Sequence, residues 1–72
     1  MFYRIVLKDV HYGFVYVARV LNGEVVETTP DKEKALVLKH ESAWRLRNRW
    51  VETAGVDKAE ARLSPVEIDE LS

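Results

Sequence analysis

The dipeptide Asn22-Gly23 stands between two apolar, β-branched runs, FVYVARVL at 14–21 and EVVET at 24–28. No other feature of the chain limits its fold as strongly. Both residues accept positive φ, which a two-residue type I′ turn requires at both central positions. Such a turn fixes the register, placing Leu21 opposite Glu24 and Val20 opposite Val25. The chain must therefore contain an antiparallel hairpin, and the rest of the sequence has to cover it.

The first run, FYRIVLK at 2–8, alternates. Tyr3, Ile5 and Leu7 fall on one side, and Phe2, Arg4, Val6 and Lys8 on the other, as in a strand with one apolar face. Asp9 to Gly13 reads as a short connection. The run 14–21 is too apolar for a strand wet on one side, so it should be central or have its second face covered too.

Residues 29–41 admit two readings. Thr29-Pro30-Asp31 resembles a helix start, with Thr29 as N-cap, proline in the first turn and an acid near the dipole. Yet Ala35-Leu36-Val37-Leu38 is a short apolar run flanked by lysines. The preferred reading is a turn followed by a short strand at about 35–39. A helical turn over 30–38 is the alternative, and periodicity does not separate them.

SAWRLRNRWVETA at 42–54 is the helix, with Ser42 as N-cap and Gly55 as its stop. Counting from Ala43, Leu46, Trp50 and Ala54 fall at about 300°, 340° and 20°, a single core stripe. Trp44 and Val51 lie on its shoulder, while Arg45, Asn48, Arg49 and Glu52 face away. After a loop at Val56-Asp57-Lys58, residues 59–68 alternate loosely. Pro65 removes a ladder donor there, which implies an edge strand or a bulge. Asp69-Glu70-Leu71-Ser72 reads as a frayed acidic tail. The expected fold is α+β: an antiparallel three- to five-stranded sheet with one helix on one face, in the order βββ(β)αβ, as a single domain over 1–72.

Seventy-two residues bury only about 60% of their extended surface, with a folded area near 4,600 Å². Such domains are marginal, and a homodimer is one route to further stability. The chain has no cysteine, which excludes a disulfide framework and thiolate metal sites. No stretch is long and apolar enough to cross a membrane as a helix. Without a signal segment at the N-terminus, the expected compartment is the cytoplasm.

Candidate chemistry is sparse. Ser42, Ser64 and Ser72 lie at a cap, beside a proline and at the terminus. His11 and His40 are the only histidines and read as exposed loop residues. A metal site from Asp9, His11 and His40 would need the loop and the helix start to converge, and Asp9-x-His11 is not a specific signal. Gly13, Gly23 and Gly55 are accounted for by turns and a cap, so no phosphate loop exists. The expectation is a protein that is not an enzyme and holds no cofactor or metal.

Arg47 breaks the pattern. It falls at about 40°, inside the apolar arc between Trp50 and Trp44. One explanation is a stem that snorkels along the stripe while the guanidinium reaches a carboxylate or water. The other is an exposed ridge of Trp44, Arg47 and Val51, spaced three and four apart as helix neighbours. Tryptophan and arginine are enriched at binding hot spots. Arg45 and Arg49 would then act as steering charges on a protein-binding helix. The alternative is a nucleic-acid surface of Lys39, Arg45, Arg49 and Trp44, with the indole stacking on a base. A net charge of -1 and a pI of about 6.1 weigh against it. The last sixteen residues hold Asp57, Glu60, Glu67, Asp69 and Glu70 against Lys58 and Arg62. That asymmetry favours heterotypic or head-to-tail docking.

A strand pair closed by Asn-Gly-Glu at 22–24, the run ALVLK at 35–39, the helix SAWRLRNRW at 42–50 and ARLSPVEI at 61–68 together resemble small bacterial and phage proteins. The resemblance implies a phage or prophage setting, in which small proteins bind and block host proteins, defence complexes included. It transfers no functional residue.

Overall fold

The computed structural model describes residues 1–67. The expected α+β architecture is present. Strands β1 (Phe2–Asp9), β2 (Gly13–Leu21) and β3 (Glu24–Thr29) are followed by a 3₁₀ turn at Lys32–Lys34 and a short β4 (Leu38–Lys39). Helix α1 (His40–Ala54), a second 3₁₀ turn at Lys58–Glu60 and β5 (Ala61–Pro65) complete it.

The hairpin forms as its turn dictates. Asn22 and Gly23 both take positive φ, 52° and 77°. Leu21 pairs with Glu24 and Val20 with Val25. Farther along, the β2–β3 register shifts on either side of Arg19. Such irregularities bend a strand and increase its twist.

β1 is the spine of the sheet, and every pairing to it is antiparallel. Val6 pairs with Tyr16 of β2 and with Arg62 of β5. Tyr3 pairs with Leu38 of β4 and with Pro65 of β5. A strand has two edges, so β5 occupies one while β2 and β4 share the other. The β4 approach is tied to β2 as well, because the Leu36 N–H donates to the Val17 carbonyl at 2.9 Å.

β2 is central, as expected, and on its face away from the helix Phe14 is 47% exposed, with the Arg62 guanidinium 4.9 Å from its ring centroid. On the face that meets the helix, Ile5, Leu7, Val15, Val17 and Ala61 are buried together with Ala43 and Leu46 of α1. Tyr3, Leu38, Leu63, Trp50 and Val51 pack against this cluster. Arg4, on the face away from the helix, is also buried.

Several expectations need correcting. The strand at 35–39 is only Leu38–Lys39, because Lys32–Lys34 form a 3₁₀ turn first. Its cap is Asp31 rather than Thr29: Asp31 Oδ1 accepts the Glu33 N–H, and Thr29 Oγ1 accepts the Asp31 N–H. The helix starts two residues early, at His40, and Ser42 is not its N-cap. Lys39 stands at the cap with extended backbone and no side-chain bond. Part of the missing capping comes from a distant element, since the His40 N–H donates to the Met1 carbonyl at 3.2 Å. Gly55 ends the helix as expected, at φ 67° with its N–H on the Val51 carbonyl. Ala54, assigned to the core stripe, is exposed at the last turn.

The final strand is Ala61–Pro65 rather than 59–68, because Asp57 caps a 3₁₀ turn through the Ala59 N–H. It is an edge strand, paired with β1 alone among the described residues. The Val66 N–H donates to the Phe2 carbonyl. Donors alternate along a strand, so Pro65 faces outward, where its missing N–H costs nothing and blunts the free edge. Residues 68–72, including the expected acidic tail, lie outside the described residues.

Two outcomes check this fold by urea denaturation. Ile5→Ala should cost about 2–5 kcal/mol, a large share of the stability of a domain this small. Ser42→Ala should cost less than about 0.5 kcal/mol rather than the roughly 1 kcal/mol of a lost N-cap.

Candidate protein-binding surface

Helix α1 has three stripes. Ala43 and Leu46 face the sheet and are buried. The other two run along its flanks, and the structure assigns each to a different side of the molecule.

One flank faces the β2–β3 hairpin. Arg49 reaches across to the turn, with its Nη2 3.5 Å from Glu24 Oε1. A Cβ built on Gly23 would lie 3.6 Å from Arg49 Nη1, so the guanidinium rests against the turn itself. One turn earlier, Arg45 Nη2 donates to Glu41 Oε1 at 2.7 Å. Both pairs are largely exposed, so each is worth no more than a few tenths of a kcal/mol. Arg45 and Arg49 border a groove whose apolar wall includes Val20, Leu38 and Leu46.

The opposite flank, at about 40–100° on the wheel, carries Arg47, Val51 and Trp44. It lies towards β5, the strand at the other side of the sheet, against which α1 also packs. Trp44 is 50% exposed. Arg47 is half-buried, and its Nε is buried with no hydrogen-bond partner among the described residues. Val51 is half-buried and packs against the core, so it stands less free than the exposed ridge requires.

The five expected protein-binding residues thus separate into two groups on opposite sides of one helix. Trp44, Arg47 and Val51 stay together, while Arg45 and Arg49 line the groove. Lys39 lies on β4 and is exposed, and Trp44 stands on the other flank of the helix from Arg45 and Arg49, so the four do not form one continuous surface. The two indoles part company as well, because Trp50 is half-buried against the core.

The histidines do not assemble a site. His40 is the first residue of α1 rather than a loop residue before it, with its ring 5.2 Å from that of Tyr3. Asp9 is committed to its own loop, where Oδ2 accepts the N–H groups of His11 and Tyr12, both at 2.9 Å. Among the described residues, no three histidine, aspartate or glutamate side chains stand close enough to hold a metal ion. No described helix is long and apolar enough to cross a membrane.

The groove between the helix and the hairpin is the feature that sequence reasoning missed. Arg49 and Glu24 are far apart in the chain, and no local pattern signals their meeting. No protein-family model matches the chain, and neither a curated protein nor a solved structure matches it.

The division of the helix surface has a measurable consequence. Trp50→Ala should cost about 2 kcal/mol, roughly half the loss for a fully buried tryptophan. Glu41→Gln should move stability by less than about 0.5 kcal/mol. Denaturant midpoints of the two variants check both.

Proposed function

We propose that this protein is a non-enzymatic protein-binding module that docks its partner on the β5-side flank of α1. The observation that supports this reading is a half-exposed indole, Trp44, beside a guanidinium whose buried Nε finds no acceptor within the described residues. A buried donor left unmatched costs about 1–3 kcal/mol. A partner that draws the Arg47 side chain outward frees that Nε for a new acceptor, and the neighbouring indole supplies apolar area with little side-chain entropy to lose. Val51, packed against the core, ties this flank to the interior.

The chemistry of the flank selects the partner. A cation next to an aromatic ring favours a segment that presents a carboxylate or main-chain carbonyl together with an apolar side chain. An isologous pairing of two such flanks would bring two Arg47 cations into one patch, which favours a foreign partner over a second copy. Within this reading, a phage-encoded inhibitor or regulator of a host protein or defence complex rests on the resemblance of the sequence alone.

The reading predicts that Trp44→Ala and Arg47→Glu each abolish retention of the partner that the wild-type protein captures from host lysate. Thermal melts of both variants should shift by less than about 5 °C, equivalent to under roughly 1 kcal/mol for a domain of this length. Unfolding of both variants would show that these residues are core and would defeat the proposal. Retention only of nucleic acid, released by moderate salt, would favour the nucleic-acid alternative instead. Sedimentation of the isolated protein as a dimer that Arg47→Glu disrupts would make a second copy the occupant.

A further inference from the structure

We infer that the groove between α1 and the β2–β3 hairpin is a binding site for a small amphipathic anion, an aliphatic or aromatic carboxylate with Arg45 and Arg49 as its head-group ligands. The inference is independent of the docking flank, which lies on the other side of the helix.

The groove is built from two adjoining hollows that share Gly23, Leu46 and Arg49. The larger, about 330 Å³, has Val20, Leu38 and Leu46 as its apolar wall and Ser42, Arg45 and Arg49 as its polar border. The smaller, about 130 Å³, continues past Arg49 to Val25, Trp50 and Thr53. Ligand sites commonly combine an apolar concavity of at least about 300 Å³ with a few convergent polar groups. The polar groups here are two guanidiniums one helical turn apart, which is the spacing at which helix side chains become neighbours.

Charge complementarity names the occupant. Each guanidinium presents a planar fork of donors suited to a carboxylate. Each already holds one carboxylate, Glu41 on Arg45 and Glu24 on Arg49. Those pairs are exposed and weak, so an incoming carboxylate exchanges with them at little cost. An apolar tail adds the burial that Glu41 and Glu24 do not provide, since it can lie on Leu38 and Leu46. A bare inorganic anion gains nothing from that wall, and an uncharged tail gains nothing from the arginines.

An amide NMR titration of the intact protein with octanoate tests the site, with 1-octanol and inorganic phosphate as separate arms. Octanoate should shift the amides of Val20, Gly23, Leu38 and Leu46 in a saturable way. Octanol should bind at least about fivefold more weakly, and phosphate should not saturate. Arg45→Gln and Arg49→Gln, both at exposed positions, should each weaken octanoate by about fivefold while leaving octanol unchanged. Trp44→Ala, on the opposite flank, should leave octanoate binding unaltered. Equal binding of octanol and octanoate would reduce the groove to a nonspecific apolar cleft. No saturable shift, shifts centred on Phe14 and Tyr16 of the sheet face away from the helix, or indifference to both arginine variants would each overturn the site.

Discussion

The contact on which the structure depends is that of Ala43 and Leu46 with Ile5 and Leu7. One short helix closes the core face of the sheet, and Ala43 is its most deeply buried residue. Its side chain is fully buried, and Ala61 of β5, equally small, is almost as buried. Two small residues at the crossing let the helix sit low, so that Leu46 and Trp50 reach Val15, Val17 and the rest of the cluster. A larger residue at either position would lift the helix and open a gap along its length. β1 provides the other half of this constraint. It takes β5 on one edge and β2 and β4 on the other, so a single strand organises three strands through its edges and the helix through its buried face.

Closure at that contact determines what the flanks can do. With Ala43 and Leu46 facing inward, Arg45 and Arg49 are turned to the hairpin and Trp44 and Arg47 to β5. The basic run of the helix is therefore not one surface. Its hairpin side is a groove bordered by Arg45 and Arg49, each paired with an exposed glutamate. Its β5 side carries an exposed indole and a buried guanidinium Nε with no acceptor among the described residues. Free strand edges flank both regions, β3 with Glu24 and Glu27 along it and β5 with outward-facing Pro65. Charge and proline discourage unselective strand addition at such edges. The side chains of the helix are left as the more selective features on either side.

Much of this was legible in the sequence because the signals were local. Asn22-Gly23 specified its own turn and register. The alternation of Tyr3, Ile5 and Leu7 marked the core face, and Gly55 marked the helix end. The errors fall where a distant element supplied what the local chain lacked. Ser42 looked like a cap, yet the Met1 carbonyl receives the His40 N–H and the helix begins earlier. The strand at 35–39 shortened because Asp31 closes a 3₁₀ turn before it. Ala54 showed that a helical wheel gives direction but not reach, since the last turn is exposed although it points along the core stripe. The separation of Arg45 and Arg49 from Arg47 was visible on the wheel. The groove they border was not, because Glu24 and Gly23 meet Arg49 only in the folded molecule.

The account rests on Trp44 standing in solvent while Trp50 is held against the core. Replacing Trp50 with phenylalanine leaves Trp44 as the sole indole, and its fluorescence reports that environment directly. The structure predicts a red-shifted emission, typical of a solvated indole, that acrylamide quenches readily in the folded protein. A blue-shifted emission protected from acrylamide until the chain unfolds would place Trp44 in the interior and contradict the proposed surface.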